Sequence, residues 1–252
     1  MSPNSDQCGM AQAGTKDHMP STEIEDFIYL ISHDVRNSVR ALIELPHWIA
    51  EDLQDAGVKL DGSVGESIEL MNRHTGRLDR MLVDLLTFSR VGRMQEVGQV
   101  DLDDALDEVL EEIRLPHGFQ IIRNLSHHSV RCGERDILTL LTALISNAIK
   151  HHDSPTGKIV VSSERAGGSV VLTVSDDGPG IAPRYREKVF GAMTTLKPRD
   201  EVEGSGMGLA ITRKIAQVYE GHARLNDPLD ARGIAVEVSL PDGPQPPCEK
   251  KF

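Results

Sequence analysis

An apolar stripe near the start of the chain sets the first limit on its fold. Ile24, Ile28, Ile31, Val35, Val39, Leu42, Leu45, Ile49 and Leu53 follow one another in steps of three and four. Only an α-helix puts positions spaced this way on one face. Ser21 or Thr22 in "STEIED" offers an N-cap, with acids in the first turn. Pro46 interrupts the run and is expected to kink it. "DAGVKLDGSVG" reads as a loop, and a second stripe follows at Val64, Ile68, Met71, Leu78, Leu82 and Leu85. It runs to "SRVGR", where Gly92 is expected to stop the helix. Two helices of roughly 30 residues joined by a short loop make an antiparallel hairpin. A lone hairpin cannot bury both stripes. Pairing two copies into a four-helix bundle would do so, and a homodimer is expected. The alternative is that the hairpin docks on the rest of its own chain.

From about Gly98 the texture becomes α/β. "DLDDALDEVLEEIR" is an amphipathic helix, and "ERDILTLLTALISNAIKHH" is a helix with more of its surface buried. "KIVVSSERAGGSVVLTVSDDG" reads as a hairpin of strands around Ala-Gly-Gly. "GMGLAITRKIAQVYEG" is a helix with Gly221 placed to end it, and "HARLND" and "GIAVEVSL" are closing strands. The expected division is a loose arm over 1–20, a helical hairpin over 21–93, an α/β domain over 98–242 and a loose tail over 243–252.

The formal net charge of −12 argues against a nucleic-acid backbone as partner, which needs a basic face. No apolar run approaches the ~18 residues of a membrane span. The opening segment lacks the pattern of a signal peptide. Cys8, Cys132 and Cys248 are too scattered for a disulfide framework or a zinc site. These features are those expected of a soluble, cytoplasmic protein.

Inside the first helix lies "ISHDVRNSVR". On a helical projection His33 falls roughly opposite the apolar stripe, and Asn37, one turn on, falls within about 40° of it. Asp34 sits on the flank. His33 is therefore not a core histidine. By itself the segment is either a reactive face or an ordinary solvated one.

The second half narrows the choice. "DDGPGI" puts acids before Gly-x-Gly directly after a strand, and "EGSGMGLA" puts Gly204, Gly206 and Gly208 at alternate positions before a helix. Such glycines let backbone N–H groups approach phosphate oxygens, and the helix N-terminus adds a positive end. Asn147 and Lys150 lie one turn apart on the preceding helix. An asparagine oxygen is a hard ligand suited to Mg²⁺ beside phosphates. A pocketed carboxylate such as Asp176 can accept a hydrogen bond from the exocyclic amine of adenine.

Taken in order, these segments resemble the two-component sensor histidine kinases over about residues 21–242. "FIYLISHDVRNSV" resembles the phosphoacceptor box, "LLTALISNAIKHH" the asparagine box, "DDGPGI" and "EGSGMGLA" the glycine boxes, and "VFGAM" the phenylalanine box. The resemblance implies a dimerisation and histidine-phosphotransfer hairpin followed by a Bergerat-fold ATP-binding domain. That domain is an α/β sandwich with a lid at about 182–206. It implies autophosphorylation of His33 from Mg²⁺-ATP, with Asp34 and Asn37 as its catalytic neighbours. The implied ATP-binding set is Asn147, Lys150, His151, Asp176, Gly178, Gly180, Ile181, Thr195, Gly204, Ser205, Gly206, Met207, Gly208 and Leu209, with Asn147 holding the metal. The phosphoryl group would pass to an aspartate on the receiver domain of a separate response regulator. Input is expected from a separate sensor protein, or the enzyme is constitutive.

The chain departs from the family pattern at Ser38, Ala143, Met193 and the pair Gly221–His222. Ala143 removes one polar contact to nucleotide. It also stands where hydrolytic relatives of this fold carry a water-activating glutamate, so the attacking group must come from elsewhere. Two other classes compete with the kinase. One is a phosphotransfer scaffold whose degenerate domain no longer binds ATP. The other is an ATP-gated interaction module that does not phosphorylate itself.

Overall fold

The computed structural model describes residues 21–93, 95–197, 204–228 and 232–242. The arm over 1–20, the tail over 243–252, part of the expected lid and the side chains of His33 and Asp34 lie outside the described residues.

The first stripe forms helix α1 (Ser21–Asp55) and the second forms α2 (Gly62–Arg90). They pack along each other as a hairpin. α1 runs unbroken through Pro46. The expected loop is shorter than the sequence suggested: Gly62, Ser63, Val64 and Gly65 already belong to α2. The cause is Gly62, whose positive φ of 65° turns the chain directly into the helix.

Burial in the hairpin is partial. Val39, Ile68, Leu82 and Leu86 are buried, whereas Leu42 (47% exposed) and Leu45 (42%) face outward with Ile31, Val35 and Ile49. Val64, Met71 and Leu78 of the second stripe are exposed as well.

The rest of the described chain is an α/β sandwich. Its main sheet has the order β2 (Phe119–Leu125), β4 (Gly157–Ala166), β5 (Ser169–Asp176), β7 (Ile234–Pro241), β6 (His222–Asn226). β2 and β4 run parallel and the other pairs antiparallel. A separate two-stranded ribbon joins β1 (Val97–Asp101) to β3 (Ser129–Gly133). Helices α3 (Leu102–Ile113), α4 (Glu134–Lys150) and α6 (Gly208–Val218) form the other layer, and α5 (Pro183–Arg186) is a single turn. α4 packs between α3 and α6 and reaches β4 and β5.

Alternation explains which face of the sheet is covered. Ile159 and Val161 of β4, with Val170, Leu172 and Val174 of β5, point into one core. α4 supplies Ile137, Leu140, Leu141, Leu144 and Ile145 against them. Each fully buried aliphatic side chain stabilises the fold by about 1.5–3 kcal/mol relative to exposure. α3 starts where the Asp101 carboxylate accepts the N–H groups of Asp103 at 2.8 Å and Asp104 at 3.2 Å.

Strands β1, β2 and β3 were not anticipated from the sequence. Gly221 also plays a different part from the one expected. The left-handed residue after α6 is Glu220, with φ 58°. A Cβ on Gly221 would lie 1.7 Å from the Ser239 carbonyl oxygen, so glycine is needed there for close packing against β7.

Candidate nucleotide site and its joint with the hairpin

The residues singled out in the α/β half come from four segments. Asn147 lies on the last turn of α4, and Gly208 opens α6. A Cβ on Gly208 would stand 3.1 Å from Asn147 Nδ2 and 3.5 Å from its Oδ1, so the glycine-rich segment closes directly onto this amide. The N-terminal end of α6, with its unpaired N–H groups, therefore opens beside Asn147. Lys150 follows one turn later at the exposed end of α4. The next residue is His151, whose pKa is pushed down by burial of the ring, then by Lys197 and Lys150.

Gly206 takes φ 77° and packs tightly against the chain at 193–194, where a Cβ would meet the Thr194 carbonyl at 2.7 Å. Ser205 is buried, and its Oγ accepts the Met207 N–H at 3.1 Å. Met207 is buried and Leu209 packs against the core, so these apolar members anchor the segment. Gly204 has open space around it, and Thr195 is exposed beside the same segment. Val189 and Phe190 of "VFGAM" are buried, and Arg213 of α6 lies 4.0 Å over the Phe190 ring. Met193, in place of a second phenylalanine, adopts φ 57° and is exposed.

On the far side, Asp176 ends β5. Its Oδ1 accepts the Gly178 N–H at 2.9 Å. Burial pushes its pKa up, against the opposing pull of that bond and of His152. Gly180 takes φ 71° with the Gly233 carbonyl close by; a Cβ would meet that oxygen at 2.6 Å. Ile181 packs against the edge of the core. Ala143 lies one turn before Asn147 on α4, as the sequence spacing requires.

Sequence reasoning did not anticipate how the hairpin meets this site. Asp84 of α2 accepts a hydrogen bond from Ser205, within electrostatic reach of Lys150 and Arg80; burial raises its pKa overall. Lys214 of α6 donates to the Phe88 carbonyl at 2.7 Å and stands 4.3 Å over the Phe88 ring. Just past α2, the Gly92 N–H donates to Asp136 Oδ2 at 2.9 Å. The same oxygen accepts the Tyr219 hydroxyl at 2.7 Å, and that hydroxyl accepts the Gly133 N–H at 2.9 Å. Asp136 is only 3% exposed, yet its carboxylate is satisfied. No short-range pattern could reveal these pairings, because their partners lie 44 and 83 residues apart.

Asn37 is exposed on α1, and His33 and Asp34 belong to the same helix. Among the described residues no helix is long and apolar enough to cross a membrane.

Comparison with known proteins fits this geometry. Residues 132–244 match the family described as Histidine kinase-, DNA gyrase B-, and HSP90-like ATPase. The methanogenesis regulatory histidine kinase FilI of Methanothrix harundinacea is 31% identical over 229 residues, covering 88% of this chain and 25% of that protein. The chain spans less than a third of the length of the first curated relatives it matches, at 25%, 29% and 31%. Among solved structures, full-length ShkA in complex with AMPPNP shares the fold with TM-score 0.64 and 21% identity, over 86% of this chain and 46% of that one. Histidine kinase ThkA in complex with the response regulator TrrA does so with TM-score 0.58 and 19% identity, over 88% and 64%. Domain match, relatives and fold agree: residues 132–244 form a Bergerat ATP-binding domain of the histidine kinase-, DNA gyrase B- and HSP90-like ATPase family, and the chain is similar to two-component sensor histidine kinases over most of its length.

Proposed function

We propose that this chain is an ATP-dependent histidine kinase that phosphorylates itself on His33. The observation that carries this reading is the closure of the glycine-rich segment onto Asn147, together with a half-buried carboxylate, Asp176, at the end of β5. A phosphate-tolerant backbone and a hard oxygen ligand then lie side by side, and an adenine acceptor stands at the end of β5. These residues suit Mg²⁺-ATP. Asn147 would hold the cation, which neutralises phosphate charge when bound. Lys150 adds positive charge, Asp176 accepts the adenine amine, and Gly204, Gly206 and Gly208 line the triphosphate, with Ser205, Met207 and Leu209 fixing their loop. His151, Gly178, Gly180, Ile181 and Thr195 complete the cleft.

Neutral His33 attacks the γ-phosphorus through Nε2 as the bond to the β-phosphate oxygen breaks and ADP leaves. Asp34 accepts the Nδ1 proton as a hydrogen bond and supports the positive ring. The P–N bond then hands its phosphoryl group to an aspartate of a response-regulator receiver domain. Asn37, one turn from His33, orients a water against the phosphoaspartate and gives the enzyme phosphatase activity. The exposed stripe around Leu42 and Leu45 supports a homodimer whose hairpins form a four-helix bundle. A soluble, cytoplasmic kinase is the setting this reading favours.

The test is incubation with γ-labelled ATP and Mg²⁺. A label stable to base, lost in acid and absent from His33→Ala supports the reading. Label that survives acid or persists in His33→Ala overturns it.

A further inference from the structure

Two adjacent carboxylates lie at the end of β5, and both are anchored by backbone N–H groups. Asp177 Oδ1 accepts the Lys158 N–H at 2.7 Å and contacts His152 Nε2 at 3.0 Å. Asp176 spends Oδ1 on the Gly178 N–H. The residue that links this turn to the end of α4 is His152, two residues past that helix, with a side chain only 2% exposed.

Both ring nitrogens have partners. Nδ1 accepts the Ser154 N–H at 3.0 Å. Nδ1 also lies 3.1 Å from the Ser154 carbonyl oxygen, and Nε2 lies 3.0 Å from Asp177 Oδ1. The ring stands edge-on to Phe119 of β2, with centroids 5.2 Å apart and planes at 80°. It also forms a wall behind the loop. A Cβ on Gly178 would meet His152 Cδ2 at 3.3 Å, and one on Gly157 would meet Nε2 at 2.8 Å. The histidine thus ties the end of the asparagine helix to the start of β4 and the turn after β5, with a hydrogen bond at each ring nitrogen.

We propose that His152 is a positioning residue for adenine recognition: by holding Asp177 against the start of β4, it fixes the turn on which Asp176 would face the base. This rests on the reading of the site as an ATP site. Loss of the bond frees Asp177 to swing and lets the Asp176–Gly178 turn drift, which weakens the contact that distinguishes adenine from guanine. The effect belongs to nucleotide affinity and base choice, and the phosphoryl-transfer step is untouched.

The experiment uses the full chain with Mg²⁺, titrating ATP and GTP by calorimetry and measuring KM and kcat of self-labelling. His152→Leu keeps apolar volume without a donor. It is expected to raise Kd and KM for ATP about tenfold, the loss of one hydrogen-bond-sized interaction, with kcat little changed and GTP affinity unmoved. His152→Gln, whose amide reaches the Nε2 position, is expected to recover most of the ATP affinity. If His152→Leu does not fold, His152→Asn, whose shorter amide serves Ser154 but not Asp177, replaces it with the same expectation. A leucine or asparagine variant that binds ATP like the wild type, or a glutamine variant no better than leucine, overturns the proposal. A wild-type chain that binds no ATP overturns the ATP reading itself, a failure visible before any variant is made.

Discussion

The two halves of this molecule treat their apolar residues differently. The α/β half closes on itself: Ile159, Leu172, Ile137, Leu140 and Ile145 are essentially inaccessible. The hairpin leaves Leu42, Leu45, Ile49, Val64 and Leu78 facing solvent along stripes that the sequence repeats over its whole length. A sheet covered by helices is a finished unit. A pair of helices is half of one. The polar groups follow the same division. The α/β half sets its glycine-rich segment against the Asn147 amide, while the hairpin carries "HDVRN" on a helix that otherwise offers surface.

The largest expected effect comes from attacking the unfinished surface. Leu42→Glu with Leu45→Glu should convert a dimer to a monomer, read by sedimentation equilibrium, while the far-ultraviolet signal of the α/β half survives. A dimer that persists would mean the stripe is not the interface. Next is the finished core: Leu172→Ala should cost about 2–5 kcal/mol in denaturant unfolding of the α/β half, through lost burial and the cavity left behind. A loss below ~1 kcal/mol would show that this core is looser than its burial implies. Asn37→Ala should leave labelling of His33 intact but slow decay of a purified phospho-receiver in the presence of ADP. Equal decay rates would remove the phosphatase role. The smallest effect concerns the contact between the halves. Asp84→Asn removes a negative charge beside Lys150 and Ser205, and should tighten ATP binding roughly twofold to fivefold, the scale of one charge pair near water. Unchanged affinity would mean that Asp84 does not act on the phosphate end of the cleft.

Periodicity made the hairpin legible, because α1 and α2 each repeat one pattern for many turns. The β4–β5 hairpin was equally plain, since Gly167 and Gly168 both take positive φ at its turn. Strands β1, β2 and β3 were not. β1 and β3 have five residues each and form a small ribbon, and β2 is an edge strand of mixed polarity. Their pairing is decided by distant partners such as Ile121 with Ile159. In the site, glycine spacing pointed to residues whose role is local, such as Gly206 and Gly208. His152 escaped notice because its importance lies in Asp177, 25 residues away, and in Phe119, brought alongside by the parallel pairing of β2 with β4. Gly221 was misread for a similar reason: its constraint is the Ser239 carbonyl of another strand, and the turn itself is made by Glu220.

Central to the account is the separation of nucleotide recognition from self-association. Asp176→Asn tests it when both properties are measured on one preparation, by γ-labelled ATP and by sedimentation. The proposed adenine contact lies in the α/β half and the exposed stripe in the hairpin, so the predicted result is a dimer that takes up no label. A variant that still labels itself, or one that sediments as a monomer, would contradict the account.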